Sequence, residues 1–218
     1  EQIGSRLAAR GHEVIVFVRP HYTPADEKEY RGMRIIHLPS INNKNLDAIT
    51  HSFLSSLFAL KLGADIVHIH STGNSIYAPV MKLRNIKTVV QSHGLDWQRA
   101  KWGRFAKAYL QMTDYTTVHF PSATTVVSKK LQRYYQDKFG LPVRYIPNGV
   151  DLFTKVAPQE IHELGLQGGD YILFLARLVP EKGAHYLVEA YKQLGRPDKK
   201  LVIAGDSSYG ERYAAEMK

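Results

Sequence analysis

Residues 88–97 read "TVVQSHGLDW", and this stretch decides how the chain folds. Its β-branched and apolar beginning is typical of a strand that is buried on both faces of a parallel sheet. The strand ends in polar residues, at His93-Gly94, where an acid and a tryptophan soon follow. Parallel α/β sheets bind ligands at the carboxyl ends of their strands, so His93 lies where a functional side chain is expected.

The same strand pattern recurs along the first 150 residues. Strands are predicted for "VIVFV" at 14–18, "MRIIHLP" at 33–39, "DIVHIHS" at 65–71, "KTVVQS" at 87–92, "ATTVVS" at 123–128 and "VRYIP" at 143–147. Helices are predicted before Gly11 and at 47–62, 76–84, 101–119 and 129–139. This alternation predicts an α/β fold, with residues 1–150 as a Rossmann-like domain whose parallel sheet is covered by helices on both faces.

A second domain is predicted after Pro147. The next two dozen residues carry prolines and glycines and have the composition of a linker. A strand at 171–176, a helix at 184–194, a strand at 200–205 and a last helix at 211–218 then follow. We therefore predict that residues 151–218 are a linker and the beginning of a second Rossmann-like domain.

Composition narrows the class of protein. The chain has 218 residues, of which 44% are hydrophobic, which is enough to bury a core. It has no cysteine, which excludes a disulfide scaffold and is compatible with the cytoplasm. No apolar run is long enough to span a bilayer. The net charge of +9 favours anionic partners, such as nucleotides, and peripheral contact with the anionic inner face of a membrane. The sequence contains no nucleic-acid-binding motif, so nucleic acid is not an expected partner.

Polar residues follow six of the predicted strands. These residues are His70-Ser71, His93-Gly94, Ser128, Asn148-Gly149, Arg177 and Asp206. Strand ends must turn into solvent in any case, yet this many polar exits are more than packing requires. The carboxyl edge of the sheets is therefore the predicted functional edge.

Five segments of the chain carry a resemblance to a known family. They are "SHGLDWQRAKW", "VVSKKLQRYY", "IPNGVD", "ARLVPEKGAHYLVEAY" and "LVIAGD". In this order and spacing they resemble family 4 glycosyltransferases, the retaining enzymes of the GT-B fold. The most specific piece is Arg177 with Lys182, directly after a strand. The resemblance implies that residues 1–150 bind the acceptor and that the second domain binds a nucleoside-diphosphate-sugar donor.

The resemblance also implies roles for single residues. It implies that His93, Arg177 and Lys182 are catalytic. His93 would contact the donor sugar, and Arg177 and Lys182 would bind the diphosphate leaving group. The implied donor-binding residues are Gly94, Ser128, Asn148, Gly149, Arg177, Lys182 and Asp206. It implies transfer of a hexose with retention to a sugar, a lipid-linked sugar or a small molecule. No cofactor and no metal are expected, and the chain contains no Asp-x-Asp motif.

The chain departs from the family pattern at both ends. Family members normally open with a strand and a glycine-rich loop before the helix that begins here near Glu1, and they continue past the "AGD" strand. We therefore expect no measurable glycosyl transfer from these 218 residues alone. Ala176 stands where glycine is common in the family, and Ser207-Ser208 follow Asp206 where glycine and proline are common.

Two other functions stay open at this point. One is a nucleotide-sugar 2-epimerase, which shares the GT-B-like fold and needs no acceptor. The other is a fragment of a transferase that folds without turnover.

Several residues also have structural readings. His93 could bond a backbone carbonyl, and Ser128 is predicted to cap the helix at 129–139. His68 and His70 lie on the same face of a strand and could form half of a metal site, but the sequence shows no third ligand, so no metal is expected there. Aromatic residues that could stack on sugars or belong to the core are Trp97, Trp102, Tyr134 and Tyr135.

Overall fold

The computed structural model describes residues 1–43, 46–98, 102–152, 154, 157–196, 198–206, 213 and 215. The chain divides into two compact units, Glu1–Asn148 and Gly149–Lys218. Their assignment to acceptor and donor remains a prediction. Most of the helix predicted at 211–218, and Ser207-Ser208, lie outside the described residues.

The first unit alternates strands and helices as predicted. Its strands are β1 (Ile15–Val18), β2 (Glu29–Tyr30), β3 (Met33–His37), β4 (Ile66–His70), β5 (Lys87–Ser92), β6 (Ala123–Val126) and β7 (Arg144–Tyr145). Its helices are α1 (Gln2–Ala8), α2 (Asp47–Leu62), α3 (Ala78–Leu83), α4 (Arg104–His119) and α5 (Lys129–Phe139), with 3₁₀ turns at Thr72–Tyr77 and Asp96–Gln98. The predicted α/β class is confirmed.

The larger sheet carries the strand ends of interest. It has the order β4-β5-β6-β7, and all of its strand pairs are parallel. In its register His70 pairs with Gln91, and Ser92 pairs with Val126. Val90 and Val126 are fully buried, as expected for strands covered on both faces. The exits of β4, β5 and β6 therefore lie side by side at one edge.

A second sheet in this unit was not indicated by the sequence pattern. Its order is β1-β3-β2, with β1 parallel and β2 antiparallel to β3. The chain reverses between β2 and β3 at Arg31 (φ 50°) and Gly32 (φ 76°), two successive left-handed residues that suit a tight hairpin. Within the described residues β1 and β4 are edge strands, and Ile66 on β4 is 63% exposed.

Apolar side chains recur every three or four positions along α2, and most of them are exposed. Ile49 is 50% and Phe53 is 51% exposed, although the helix itself forms where it was predicted. The side of α2 that turns inward carries Asp47, whose carboxylate accepts hydrogen bonds from Arg19 (2.6 Å) and Ser40 Oγ (2.6 Å). The buried positions of α2 are Asp47, His51 and Ala59, so mostly polar residues, and not the apolar stripe, face inward.

The second unit begins with a βαβ motif. It contains α6 (Gln159–Glu163), β8 (Tyr171–Leu175), a 3₁₀ turn at Pro180–Lys182, α7 (Ala184–Leu194) and β9 (Lys200–Ala204). β8 and β9 are parallel. The strands and α7 were predicted, whereas α6 lies within the segment that was predicted to be a linker.

Gly205 marks a close approach of two strand exits. Its φ is 154°, and a Cβ built there would lie 1.8 Å from the carbonyl oxygen of Ala176. We expect Gly205→Ala to lower the free energy of unfolding of the second unit by roughly 1–3 kcal/mol, because the costs of the strained backbone and of the steric clash add together. Urea unfolding and amide hydrogen exchange of β8 and β9 measure this loss.

Gly168 offers a matched control for that substitution. A Cβ at Gly168 would meet no atom within 4 Å, so Gly168→Ala should be nearly neutral. Equal stability of the two variants would contradict the assigned role of Gly205.

Candidate functional site

The loop that follows β5 is fixed by three side-chain contacts. His93 lies against His70, with 3.4 Å between His93 Nε2 and His70 Nδ1. Asp96 accepts a hydrogen bond from Ser71 Oγ (3.1 Å), and Trp97 Nε1 donates to Asp114 (3.1 Å). Two of these partners come from the exit of β4 and one from α4. The loop is thereby held at the carboxyl edge where the sequence placed it.

Three histidines lie together at this edge. The ring of His70 lies close to those of His68 (centroids 4.2 Å apart) and His93 (5.8 Å, interplanar angle 21°). Partial burial and the neighbouring imidazoles of His68 and His93 lower the pKa of His70 to about 4. His70 as a whole residue is exposed to solvent, and its ring is shielded from water only where it meets the neighbouring rings. Near neutral pH His70 is therefore uncharged.

Ser71 adopts an uncommon backbone conformation at the same point. Its φ is 76°, in a region that L-residues rarely adopt. This conformation lets the Ser71 amide donate to the carbonyl of Gln91 (3.0 Å) while its hydroxyl reaches Asp96. Strained residues of this kind cluster at functional sites, and here the strain serves to join the exits of two neighbouring strands.

A buried carboxylate anchors the other end of the loop. Asp114 on α4 is 0% exposed and accepts hydrogen bonds from four donors. The donors are Trp97 Nε1 (3.1 Å), Tyr134 OH (2.8 Å), Tyr135 OH (3.1 Å) and Lys138 Nζ (3.4 Å). Burial, and then the Asp114 charge, raise the pKa of Tyr135, which keeps it a donor. We call these five residues the Asp114 cluster.

The Asp114 cluster decides between two readings of the aromatic residues. Trp97, Tyr134 and Tyr135 were candidates for stacking on sugars or for the core. Their polar atoms are directed to Asp114, so they have a structural role. Asp114 was not predicted from the sequence, because the predicted functional residues all follow strands and this acid lies within a helix. An acid among threonines in "MTDYTT" was the available signal.

The remaining predicted residues of the first unit are placed as follows. Ser128 caps α5, as predicted, since its side chain accepts from the amide of Leu131 (3.2 Å). Asn148 is exposed and ends the first unit. A Cβ at Gly94 would meet no atom within 4 Å, so packing within the described chain does not require glycine there. The structure brings together His93, His70, Ser71 and Asp96, and it gives Ser128 a separate capping role.

The predicted cations lie at the carboxyl end of β8. Arg177 follows the strand by two residues, and Lys182 ends the 3₁₀ turn. Both are exposed, and within the described part of the chain neither side chain forms an ion pair or hydrogen bond. Leu178 N donates to the carbonyl of Asp206 (3.1 Å), which ties the exits of β8 and β9 together. Gly149 is exposed at the start of this unit.

The described residues lack two kinds of feature, a metal-ligating cluster and a helix that could cross a membrane. The described residues contain no group of three or more histidine, aspartate or glutamate side chains arranged to hold a metal ion. Among the described helices, none combines the length and the apolar character that crossing a membrane requires.

Two protein families match the chain. The family described as Glycosyltransferase Family 4 matches residues 1–153, and the family described as Glycosyl transferases group 1 matches residues 158–218. Together these matches account for both units. A search of curated proteins found no significant match.

Solved structures show a similar fold. A crystal structure of Anabaena HepE with UDP and glucose is 19% identical, covers 86% of this chain and has a TM-score of 0.65. A structure of HepE with UDP is 17% identical at the same coverage, with a TM-score of 0.60. Arabidopsis thaliana UGT89C1 with quercetin is 13% identical, covers 93% of this chain and 65% of its own, and has a TM-score of 0.51.

These likenesses concern the fold alone, because the identities are low. The chain spans 52% of the length of either HepE structure. The α/β fold of the GT-B class, which was predicted from the strand pattern and the resemblance, is confirmed. The family match extends over most of the chain, residues 1–153. The chain belongs to glycosyltransferase family 4.

Proposed function

We propose that the protein transfers a sugar from a nucleoside-diphosphate-sugar donor to an acceptor, with retention of configuration. The observation that carries the proposal is the pair of exposed cations, Arg177 and Lys182, at the carboxyl end of β8. Their side chains are uncommitted within the described residues, and they lie in the segment matched by Glycosyl transferases group 1.

The cations suit the leaving group of such a reaction. Negative charge grows on the nucleoside diphosphate as its bond to the sugar breaks, so fixed positive charge lowers the barrier. The planar guanidinium of Arg177 can hold two phosphate oxygens, and the ammonium of Lys182 acts as a point charge on a flexible stem. We propose that these two charges do the work that a divalent ion does in other transferases.

His93 suits the donor sugar. It is exposed at the end of β5, and its loop is held at both ends, so its ring can meet a ligand without ordering the loop first. We propose that His93 hydrogen-bonds the sugar and steadies an oxocarbenium-like transition state. HepE was crystallised with UDP and glucose, and UGT89C1 with quercetin, which supports a nucleotide-sugar donor and a small-molecule acceptor.

No covalent nucleophile is assigned in this proposal. Asp96, the acid closest in sequence to His93, is bonded to Ser71 and holds the loop. We propose same-face transfer in which the leaving phosphate takes the proton of the acceptor hydroxyl. We propose for the whole protein a cytoplasmic location, and the net charge of +9 supports contact with an anionic membrane surface.

Substitution of His93 tests this assignment. In a chain of full family length, His93→Ala should lower kcat by roughly 10- to 100-fold and leave the Kd for the nucleoside diphosphate nearly unchanged, because the lost contact is to the sugar. Initial rates with a panel of donors, together with calorimetry for the nucleotide, measure both quantities.

His12→Ala is the matched control, because His12 is exposed in the same unit and outside the site. A parallel loss of nucleotide affinity in His93→Ala would assign the histidine to the fold instead. Inversion of the donor sugar at C2 in the absence of an acceptor would identify a 2-epimerase.

A further inference from the structure

We propose that His70 is a positioning residue for His93, fixing the orientation and the tautomer of the His93 ring at the end of β5. The role of His93 in this inference rests on the function proposed above. The contact itself, between His70 Nδ1 and His93 Nε2, is independent of that function.

The backbone of His70 is held firmly enough to position a neighbour. Its strand pairs with β5 throughout, and His70 is in register with Gln91. Its carbonyl oxygen accepts from Asn74 Nδ2 (3.2 Å), and Asn74 Oδ1 accepts from Ser52 Oγ on α2 (3.0 Å). The His70 side chain thus projects from a residue that is tied both to the sheet and to a helix.

The ring of His70 also contacts two other rings. The His68 ring lies at 4.2 Å between centroids, and the His93 ring lies at 5.8 Å and is inclined by only 21°, which suits a hydrogen bond between ring nitrogens. The next residue, Ser71, contacts Asp96 in the same loop, so the last residue of β4 and the residue that follows it contact positions 93 and 96 of the loop. This double contact limits both translation and rotation of the His93 ring.

The chemistry of neutral imidazoles gives the contact a consequence. Each neutral ring has one N–H donor and one acceptor nitrogen. A hydrogen bond between His70 Nδ1 and His93 Nε2 couples the tautomers of the two rings. If His70 Nδ1–H donates, His93 carries its proton on Nδ1, and if His93 Nε2–H donates, its Nδ1 is an acceptor. In both cases Nδ1 of His93 is left for a ligand. Its partly buried surroundings, His68, His93 and the amino terminus lower the pKa of His70, so the His70 ring is uncharged near pH 7.

Nuclear magnetic resonance of the ¹⁵N-labelled imidazoles tests the contact in the 218-residue chain. The wild type should show one His93 tautomer, with well-separated nitrogen shifts. His70→Phe keeps the ring shape but removes the nitrogen, so the His93 shifts should move towards the average of two tautomers. His70→Asn places an amide near the position of Nδ1 and should restore one tautomer. Amide shifts that match the wild type in β6 and α5, away from the substituted ring, show that each variant folds.

Turnover in a chain of full family length tests the consequence. We expect His70→Phe to lower kcat roughly tenfold with an unchanged Kd for the nucleotide, and His70→Asn to recover most of the loss. An unchanged His93 tautomer, or an unchanged kcat, in His70→Phe would overturn the proposal. If His93→Ala itself leaves turnover intact, the proposed function fails instead, whatever the tautomer measurement shows.

Discussion

Asp114→Ala should lower the free energy of unfolding of the first unit by about 3–5 kcal/mol, the usual cost of breaking a buried charged network by removing one partner. Asp114 is fully buried and accepts from four side chains. Its removal leaves the Trp97 indole N–H and the Tyr135 hydroxyl without that acceptor in a region with little water. Chemical unfolding followed by far-UV circular dichroism measures the loss.

Two further variants define this result. Asp137→Ala removes an exposed acid from α5 and should change stability by less than about 0.5 kcal/mol. Asp114→Asn keeps one acceptor oxygen and should fall between the two. A loss below about 1 kcal/mol for Asp114→Ala would mean that the cluster contributes little net stability.

Arg177→Ala and Lys182→Ala should each cost on the order of 3 kcal/mol of transition-state stabilisation, or a few hundredfold in kcat/KM. The test needs a chain of full family length. Each cation lies exposed at the exit of β8, so its removal should leave the fold intact. The loss in kcat should exceed the loss in nucleotide affinity, because the contact strengthens as the leaving group ionises.

Lys192→Ala provides the control for the cations. Lys192 is exposed on α7 in the same unit and carries the same charge. It should leave kcat within about twofold of the wild type, since surface charges outside a site contribute little. Equal losses for Lys192→Ala and Lys182→Ala would indicate a general effect of net charge instead of a contact with the diphosphate.

The sequence predicted the main elements because their signals are local. β5 forms at the predicted residues 87–92, and α2 at 47–62. The hairpin at Arg31-Gly32 was missed, since a two-residue strand is too short to show a period. The burial of Asp47 on α2 was also missed, because its partner Arg19 is 28 residues away in the sequence.

Some residues of the candidate site could likewise be predicted from the sequence, and the contacts between them could not. Parallel topology alone places His93 at a strand exit, and the family resemblance singles out Arg177 and Lys182. The contact of His70 with His93 depends on side-chain conformations on two neighbouring strands, and no spacing in the sequence specifies it. The link from Trp97 to Asp114 likewise joins a loop to a helix interior.

Two of the edge strands of the first unit, β1 and β4, affect how the 218-residue chain behaves in solution. In the described residues β1 pairs only with β3 and β4 only with β5, so each presents one row of backbone donors and acceptors. Such rows are templates for strand addition between copies. Self-association by this route grows with concentration and slows molecular tumbling, which broadens resonance lines. Spectra of the histidine rings are therefore best recorded on dilute samples, with light scattering as a check on particle size.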